Sequence, residues 1–480
     1  MSNALVKSRF APSPTGLLHL GNVRTALFNW LVAQQVQGTF LLRLEDTDAS
    51  RGHAKYADAL ASDLRWLGLE WNEGPGVGGP NGPYAQSERG SIYGAYMDQL
   101  VDAKLAYPCF CSEHELAVSR KTALAAGRPP RYSGKCHALR PEDVAARRAE
   151  GQPATLRFHV ADGETVTFDD FVRGAQTFST SDIGDFVIRR SDGTPAFFFC
   201  NAVDDALMGV TLVLRGEDHL TNTPRQILLL RALGLRVPDY AHIALVVGAD
   251  GAPLSKRTGS LSVEELRHRG YLPIAINNYL ARLGHSYEET VLLDMKRLSS
   301  EFSLTRLHRA PARFDEQQLL HWQKEAVKQA SVDELWAWLT DRSYIDGGRI
   351  ESIVPAAQAS EFVEAVRDNI VFPNDGFVWA GNLYSSNDYL QRDARQIIRD
   401  AGAPFFVTAH EQLNAGTDGF REFARRVGEH THTKGKSLFM PLRAALTGET
   451  HGPEMDRLWG LLGATRIAQR LSAAIDVCGK

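Results

Sequence analysis

Residues 9–51, RFAPSPTGLLHLGNVRTALFNWLVAQQVQGTFLLRLEDTDASR, constrain this chain more than any other stretch. A short apolar run, Ala4 to Val6, leads into Arg9 and Phe10. Pro12 and Pro14 then stop a strand, because proline removes a ladder donor and restricts the residue before it. Thr15 and Gly16 offer a hydroxyl and a bare backbone ahead of a helix. In that helix Val23, Ala26, Leu27, Trp30 and Leu31 repeat at helical spacing, and Gly38 is the expected C-cap. Thr39 to Leu44 reads as a second buried strand, followed by Glu45, Asp46 and Asp48. A strand–helix–strand unit of this kind predicts an α/β fold with a parallel sheet, whose ligands bind at the carboxyl ends of the strands. The helix N-terminus that lies there suits phosphate, through its free N–H groups and partial positive charge.

The rest of the chain is organised around that unit. A length of 480 residues exceeds one core and implies roughly three modules. Helical periodicity marks Tyr56 to Leu67 and residues 87–105. Over residues 154–190 the pattern turns to the alternation of half-exposed strands, so residues 101–195 are expected to form an α+β insertion. The sheet is expected to resume with strands at 196–200, 211–214 and 243–247, across residues 196–260. Helices are expected from about 262, as a linking segment over 261–325 and an all-helical region over 326–480.

Composition excludes several classes. With 44% hydrophobic and 23% charged residues, the chain reads as an ordinary globular protein. No apolar run approaches the roughly 20 residues that span a bilayer, and no signal-peptide core precedes Lys7 and Arg9. Five cysteines, an odd number in a long chain, point to a reducing cytoplasm. A monomer is the expectation. A net charge of −4 gives no global sign of a nucleic-acid partner and leaves room for a local basic stripe.

Two constellations carry chemistry. His19-Leu20-Gly21-Asn22 follows the first strand, and Leu254-Ser255-Lys256-Arg257 follows a late one. Each is weak alone; together they fit the task of holding a nucleoside triphosphate and neutralising departing pyrophosphate. That chemistry depends on positioning and charge stabilisation rather than on a catalytic triad. Separately, Arg9 and Arg215 each close a strand and Glu45 follows another. The arginines suit a substrate carboxylate and Glu45 a substrate ammonium, which together describe an acidic amino acid. Pairing of these charges with one another is the alternative. Cys109, Cys111 and Cys136, with Tyr132 or His137 as a fourth donor, suit a structural zinc ion, or are ordinary buried small residues. Cys200 is placed in a strand and Cys478 near the end of the chain. In the C-terminal third, Arg421, Arg425, Arg426, Lys434, Lys436 and Arg443 interleave with Phe420, Phe423 and Phe439. This pattern fits phosphate contact and base stacking, or a solvated helix face.

The motifs RFAPSPTG, HLGN, LEDTD, LRGEDH, LSKR and KGKSLFMPLR stand in order from Arg9 to about Gly463, and they resemble those of the bacterial glutamyl-tRNA synthetases. The resemblance implies a class I synthetase with a Rossmann-like catalytic domain split between 1–100 and 196–260. It further implies an acceptor-binding insertion, a stem-contact segment and an all-helical anticodon-binding region. HLGN and LSKR stand for the signatures usually written HIGH and KMSKS. The implied reaction joins L-glutamate to ATP as glutamyl-adenylate and transfers it to the terminal ribose of tRNA; some members glutamylate the glutamine tRNA instead or as well. Carried onto matching positions, Arg9, Ala11, Ser13, Glu45, Phe197, Asn201 and Arg215 would bind glutamate. Thr15, His19, Asn22, Asp218, Ser255, Lys256 and Arg257 would bind ATP, with Mg2+ accompanying it and with His19, Lys256 and Arg257 serving catalysis. Cys109, Cys111, Tyr132 and Cys136 match a zinc site found in some members. Three positions depart from the family pattern: Pro253 replaces a lysine, Phe197 a tyrosine, and Asn22 the last histidine of the generic signature.

Overall fold

In the computed structural model, strand β1 (Lys7–Phe10) runs parallel to β2 (Thr39–Leu42), in register from Lys7 opposite Thr39 to Phe10 opposite Leu42. The structure describes residues 6–47, 53–127, 131–252, 254, 261–341, 344, 349–385, 389–416 and 418–479. Pro253, Ser255, Lys256 and Arg257, together with Asp48, lie outside them. The helix joining the first two strands, Leu20–Gln35, is buried on most of its surface, including Leu20, Val23, Leu27, Phe28 and Leu31. Its end corrects the expected C-cap. The Gln37 amide donates to the Gln34 carbonyl and the Gly38 amide to the Ala33 carbonyl, and the left-handed residue is Gln37, at φ 52°. Gly38 is required for space: a Cβ there would stand 2.1 Å from the Val6 carbonyl oxygen, where the chain enters β2.

Five strands follow: β3 (Ala106–Cys109), β4 (Thr155–Phe158), β5 (Thr165–Asp170), β6 (Gly174–Ser179) and β7 (Phe186–Arg189). β3, β4 and β7 form an antiparallel sheet, whereas β5 and β6 form a hairpin that joins the central sheet. The expected strand at 196–200 is instead the start of a helix, Phe197–Leu207, so Cys200 and Asn201 are helical. β8 (Leu212–Gly216) and β9 (Asp239–Ile243) pair in parallel, and β9 pairs with β5 at Asp170 opposite Tyr240. The Thr211 amide donates to the Lys7 carbonyl and sets β8 beside β1. The expected strand at 243–247 is interrupted: β9 ends at Ile243, and β10 (Val246–Val247) pairs with β11 (Ala312–Arg313). The result is an open, mostly parallel sheet of Rossmann type, with the carboxyl ends of β1, β2 and β8 on one side.

The chain divides into two compact units, Met1–Glu264 with Ile276–Glu316, and Glu265–Ala275 with Gln317–Lys480. The sheets belong to the first, where one buried cluster gathers Leu41, Tyr93, Phe158, Phe199 and Val213. In the second, helices close over Leu335, Phe362, Phe406, Phe423 and Leu458. One of them, Val332–Thr340, begins with a reciprocal cap between Ser331 and Glu334, an arrangement worth about 1 kcal/mol. Among the described residues no helix is long and apolar enough to cross a membrane.

Candidate active site

Apolar sequence around β1, β2 and the Phe197–Leu207 helix buries an unusual number of charges beside the carboxyl ends of the strands. Arg9 donates from Nε to Asp205 Oδ1 at 3.1 Å and from Nη2 to Asp205 Oδ2 at 3.4 Å. Arg43, wholly buried, donates to Asp205 at 2.7 Å and to Glu45 at 3.3 Å. Behind them Asp204 accepts from Arg89, Gln86 and Tyr93 at 2.7–2.8 Å. Burial pushes the Asp205 carboxyl up, but Arg9 and Arg43 outweigh it and hold the group below its ordinary value. Glu45 responds in the opposite direction. Burial raises it to about 7 against the pull of Arg43 and Arg9.

Of this network Arg9 and Glu45 line a cavity of about 450 Å³, together with Ala11, Ser13, Thr15, Asn22, Phe197, Asn201, Arg215 and Asp218. The first of the expected pairings is therefore internal: Arg9 is held by Asp205, a partner sequence reasoning missed. Arg215 is different. Its guanidinium donates to His242, Thr223 and Gln226, none of them a carboxylate, and Nη1 has no hydrogen-bond partner. Burial and the neighbouring Arg9 lower its pKa to about 10. Asn201 donates from Nδ2 to Glu45, and its Oδ1 is likewise unpartnered. Buried polar atoms are nearly always hydrogen-bonded, so two orphans on one cavity wall mark where a polar ligand fits.

The outer part of the cavity is more open, with Ser13, Thr15, Asn22 and Asp218 exposed. His19 directly precedes the Leu20–Gln35 helix, half-buried, its backbone paired with Ser262; it is not among the cavity-lining residues. Leu254 lines the cavity, and its amide is held by the Val246 carbonyl at 2.9 Å. Residues 255–257 follow it directly in sequence. Phe197 stacks on His219 with centroids 5.4 Å apart.

In the same unit the sulfurs of Cys109, Cys111 and Cys136 all lie within 4.8 Å of one another. Tyr132 Oη is 3.4 Å from Cys109 Sγ and 3.5 Å from Cys111 Sγ. Three thiols around one phenol oxygen, partly buried, fit a closed tetrahedral zinc site. Burial opposes thiolate formation at Cys109, yet hydrogen bonding with Tyr132 and Arg157 brings it down to about 7. His137, the alternative fourth donor, is not part of the cluster; its ring stacks on His159 with centroids 4.0 Å apart.

In the helical unit, Phe420 and Phe423 are core residues and cannot stack on bases, whereas Phe439 is 47% exposed. Arg425 is bound between Glu422 and Glu429, and Arg421 to Asp456. Lys434 and Lys436 are exposed beside Phe439.

A parallel sheet of Rossmann type with its charged cavity at the strand ends defines a nucleotide-dependent enzyme of class I synthetase architecture. The chain belongs to the class I tRNA synthetases of the glutamate and glutamine (E and Q) family, whose catalytic-domain model matches residues 5–321. An anticodon binding domain model matches residues 380–475. Glutamate–tRNA ligase 2 of Nitrosococcus oceani is 56% identical over 99% of both chains. Glutamate–tRNA ligase 2 of Alkalilimnicola ehrlichii is 54% identical over 99% of both. A crystal structure of a glutamate tRNA ligase from Elizabethkingia meningosepticum, in complex with its amino acid, superposes with a TM-score of 0.87. It is 28% identical, covering 98% of this chain and 99% of that one.

Proposed function

We infer that this chain is a glutamate–tRNA ligase, which activates L-glutamate with ATP and esterifies it to the terminal ribose of the glutamate tRNA. The observation that supports it most directly is the cavity itself. Arg215 offers an unpartnered guanidinium nitrogen to a carboxylate, and Glu45 an acceptor to an ammonium. Both sit beside Arg9 and Asn201 on a wall too deep and polar for an apolar ligand. Glutamate presents both signs of charge.

Each residue has a task in that reaction. Arg9, Ala11, Ser13, Glu45, Phe197, Asn201 and Arg215 hold the amino acid with its reacting carboxylate toward the outer cavity. Thr15, His19 and Asn22, around the N-terminus of the Leu20–Gln35 helix, and Asp218 hold ATP, whose phosphates suit the free amides there. Ser255, Lys256 and Arg257 stabilise the charge that gathers on the α-phosphate and on leaving pyrophosphate, the largest single contribution such a site makes. Mg2+ enters with ATP. Residues 380–475 bind the anticodon arm, with Lys434, Lys436 and Phe439 available to phosphate and base. Cys109, Cys111, Cys136 and Tyr132 hold a structural zinc, and metal analysis of chelator-free protein is expected to find one per chain; far less than one removes that assignment.

The deciding experiment offers glutamate, ATP and the purified glutamate and glutamine tRNAs side by side. Charging of the glutamate tRNA is expected. Folded protein that charges neither overturns the reading.

A further inference from the structure

Arg215 lines the cavity, and its guanidinium is held by neutral hydrogen-bond partners. Its Nε–H donates to His242 Nε2 at 3.2 Å, and its Nη2 donates to Thr223 Oγ1 at 2.8 Å and Gln226 Oε1 at 2.7 Å. An arginine nitrogen only donates, so His242 Nε2 must present its lone pair. In a neutral imidazole the proton is then on Nδ1, and Nδ1 stands 2.6 Å from Asp170 Oδ2. Both His242 and Asp170 are inaccessible to solvent along their side chains. Burial and the nearby Arg215 and Arg9 disfavour the imidazolium, against the opposing pull of Asp170. Asp170 is itself fixed, since its Oδ1 accepts the amides of Val172 at 2.9 Å and Arg173 at 2.8 Å where β5 ends.

We propose that Asp170 and His242 are positioning residues for the carboxylate site: Asp170 selects the imidazole tautomer, and that tautomer turns the Arg215 guanidinium so that Nη1 faces the cavity. The proposal rests on the reading of Arg215 as the carboxylate binder. It also ties the β5–β6 hairpin, which carries Asp170, to the amino-acid pocket through one hydrogen-bonded line.

The isosteric change Asp170→Asn tests it. An asparagine oxygen can keep the Val172 and Arg173 amides, which puts its NH2 group against His242 Nδ1. That forces the proton to Nε2, where it opposes the Arg215 Nε–H. In tRNA charging by the full chain, the KM for glutamate is expected to rise about tenfold, the scale of one charge-assisted hydrogen bond. The KM for ATP stays within about twofold. The imidazole 15N shifts of histidine-labelled protein should report Nδ1–H in the native chain and Nε2–H in Asp170→Asn. His242→Gln supplies an acceptor that needs no tautomer, so adding Asp170→Asn to it should produce no further rise. Additive losses in that double variant, equal rises for ATP and glutamate, or Nε2–H in the native protein each overturn the proposal. Arg215→Lys separates the two levels. If it raises the glutamate KM while Asp170→Asn does not, the relay falls and the site stands. If Arg215→Lys also leaves that KM unchanged, the reading of Arg215 falls with it.

Discussion

The two ends of the cavity are built on opposite plans. At the amino-acid end Arg9, Arg43, Glu45, Asn201 and Asp205 are buried, and most of their polar atoms are bonded to one another. At the end proposed for the nucleotide, Thr15, Asn22 and Asp218 are exposed, and Leu254 also lines the cavity. The first end carries its electrostatics preorganised and bears the desolvation cost of doing so in the folded protein. On the reading proposed above, the second meets a ligand that brings its own charge and its own metal ion. Damage at the first end should therefore appear as lost stability and lost amino-acid affinity, and damage at the second as lost rate.

The severest test of that division is Asp205→Asn. It strands Arg9 and Arg43 as buried cations with one acid partner fewer. Breaking a buried pair of this kind costs about 3–5 kcal/mol, to be read from urea denaturation, with a higher KM for glutamate among the molecules that remain folded. An unchanged midpoint would mean that the network does not support the pocket. On the opposite side, Lys256→Ala should lower the charging rate by about 10²–10³, the usual loss of one transition-state donor. Stability and glutamate KM should hardly move. A rate within a few-fold of the native one would show that Lys256 takes no part in stabilising the transition state.

Glu45 sharpens the contrast further. Burial raises its pKa to about 7, and an ammonium ligand requires it ionised. Protons therefore compete with glutamate. The KM for glutamate should rise as pH falls below about 7, approaching tenfold per pH unit, and level off above it. The charged groups that set this value are Arg43, Arg9 and Asp205. In Glu45→Gln the KM should be high and flat across pH 6–8. A native profile that is flat over that range removes Glu45 from ammonium recognition.

The same division explains what the sequence made legible. Prolines, helical spacing and a polar cluster placed β1, the Leu20–Gln35 helix and β2 correctly, because each signal is local. The Phe197–Leu207 helix reads as a strand because three successive phenylalanines and a cysteine follow Ala196, and its burial comes from tertiary packing that the alternation of residues does not encode. Arg9 and Arg215 stand as equivalent rim arginines in sequence. Only the fold gives one of them Asp205, more than 190 residues away, and the other His242. Asp204-Asp205 carries no motif, so nothing marked it as the counter-charge. Gly38 looks like a helix cap, while its actual constraint is the carbonyl of Val6, the residue just before β1.

The smallest effect expected is at Phe197, where the two plans meet. The ring lines the cavity, stacks on His219 and begins the helix that carries Asn201 and Asp205. The family resemblance leads one to expect a tyrosine here, and Phe197→Tyr adds one hydroxyl without changing the packed ring. If that hydroxyl reaches bound glutamate, it adds one hydrogen bond, about 1 kcal/mol or a fivefold lower KM. The KM for ATP and the denaturation midpoint should stay where they are. A lower KM for ATP instead would place Phe197 with the exposed end, since the ring of His219 is its neighbour. An unchanged KM for both would mean that the amino-acid end is already complete without the hydroxyl, with Arg9, Glu45, Asn201 and Arg215 carrying recognition.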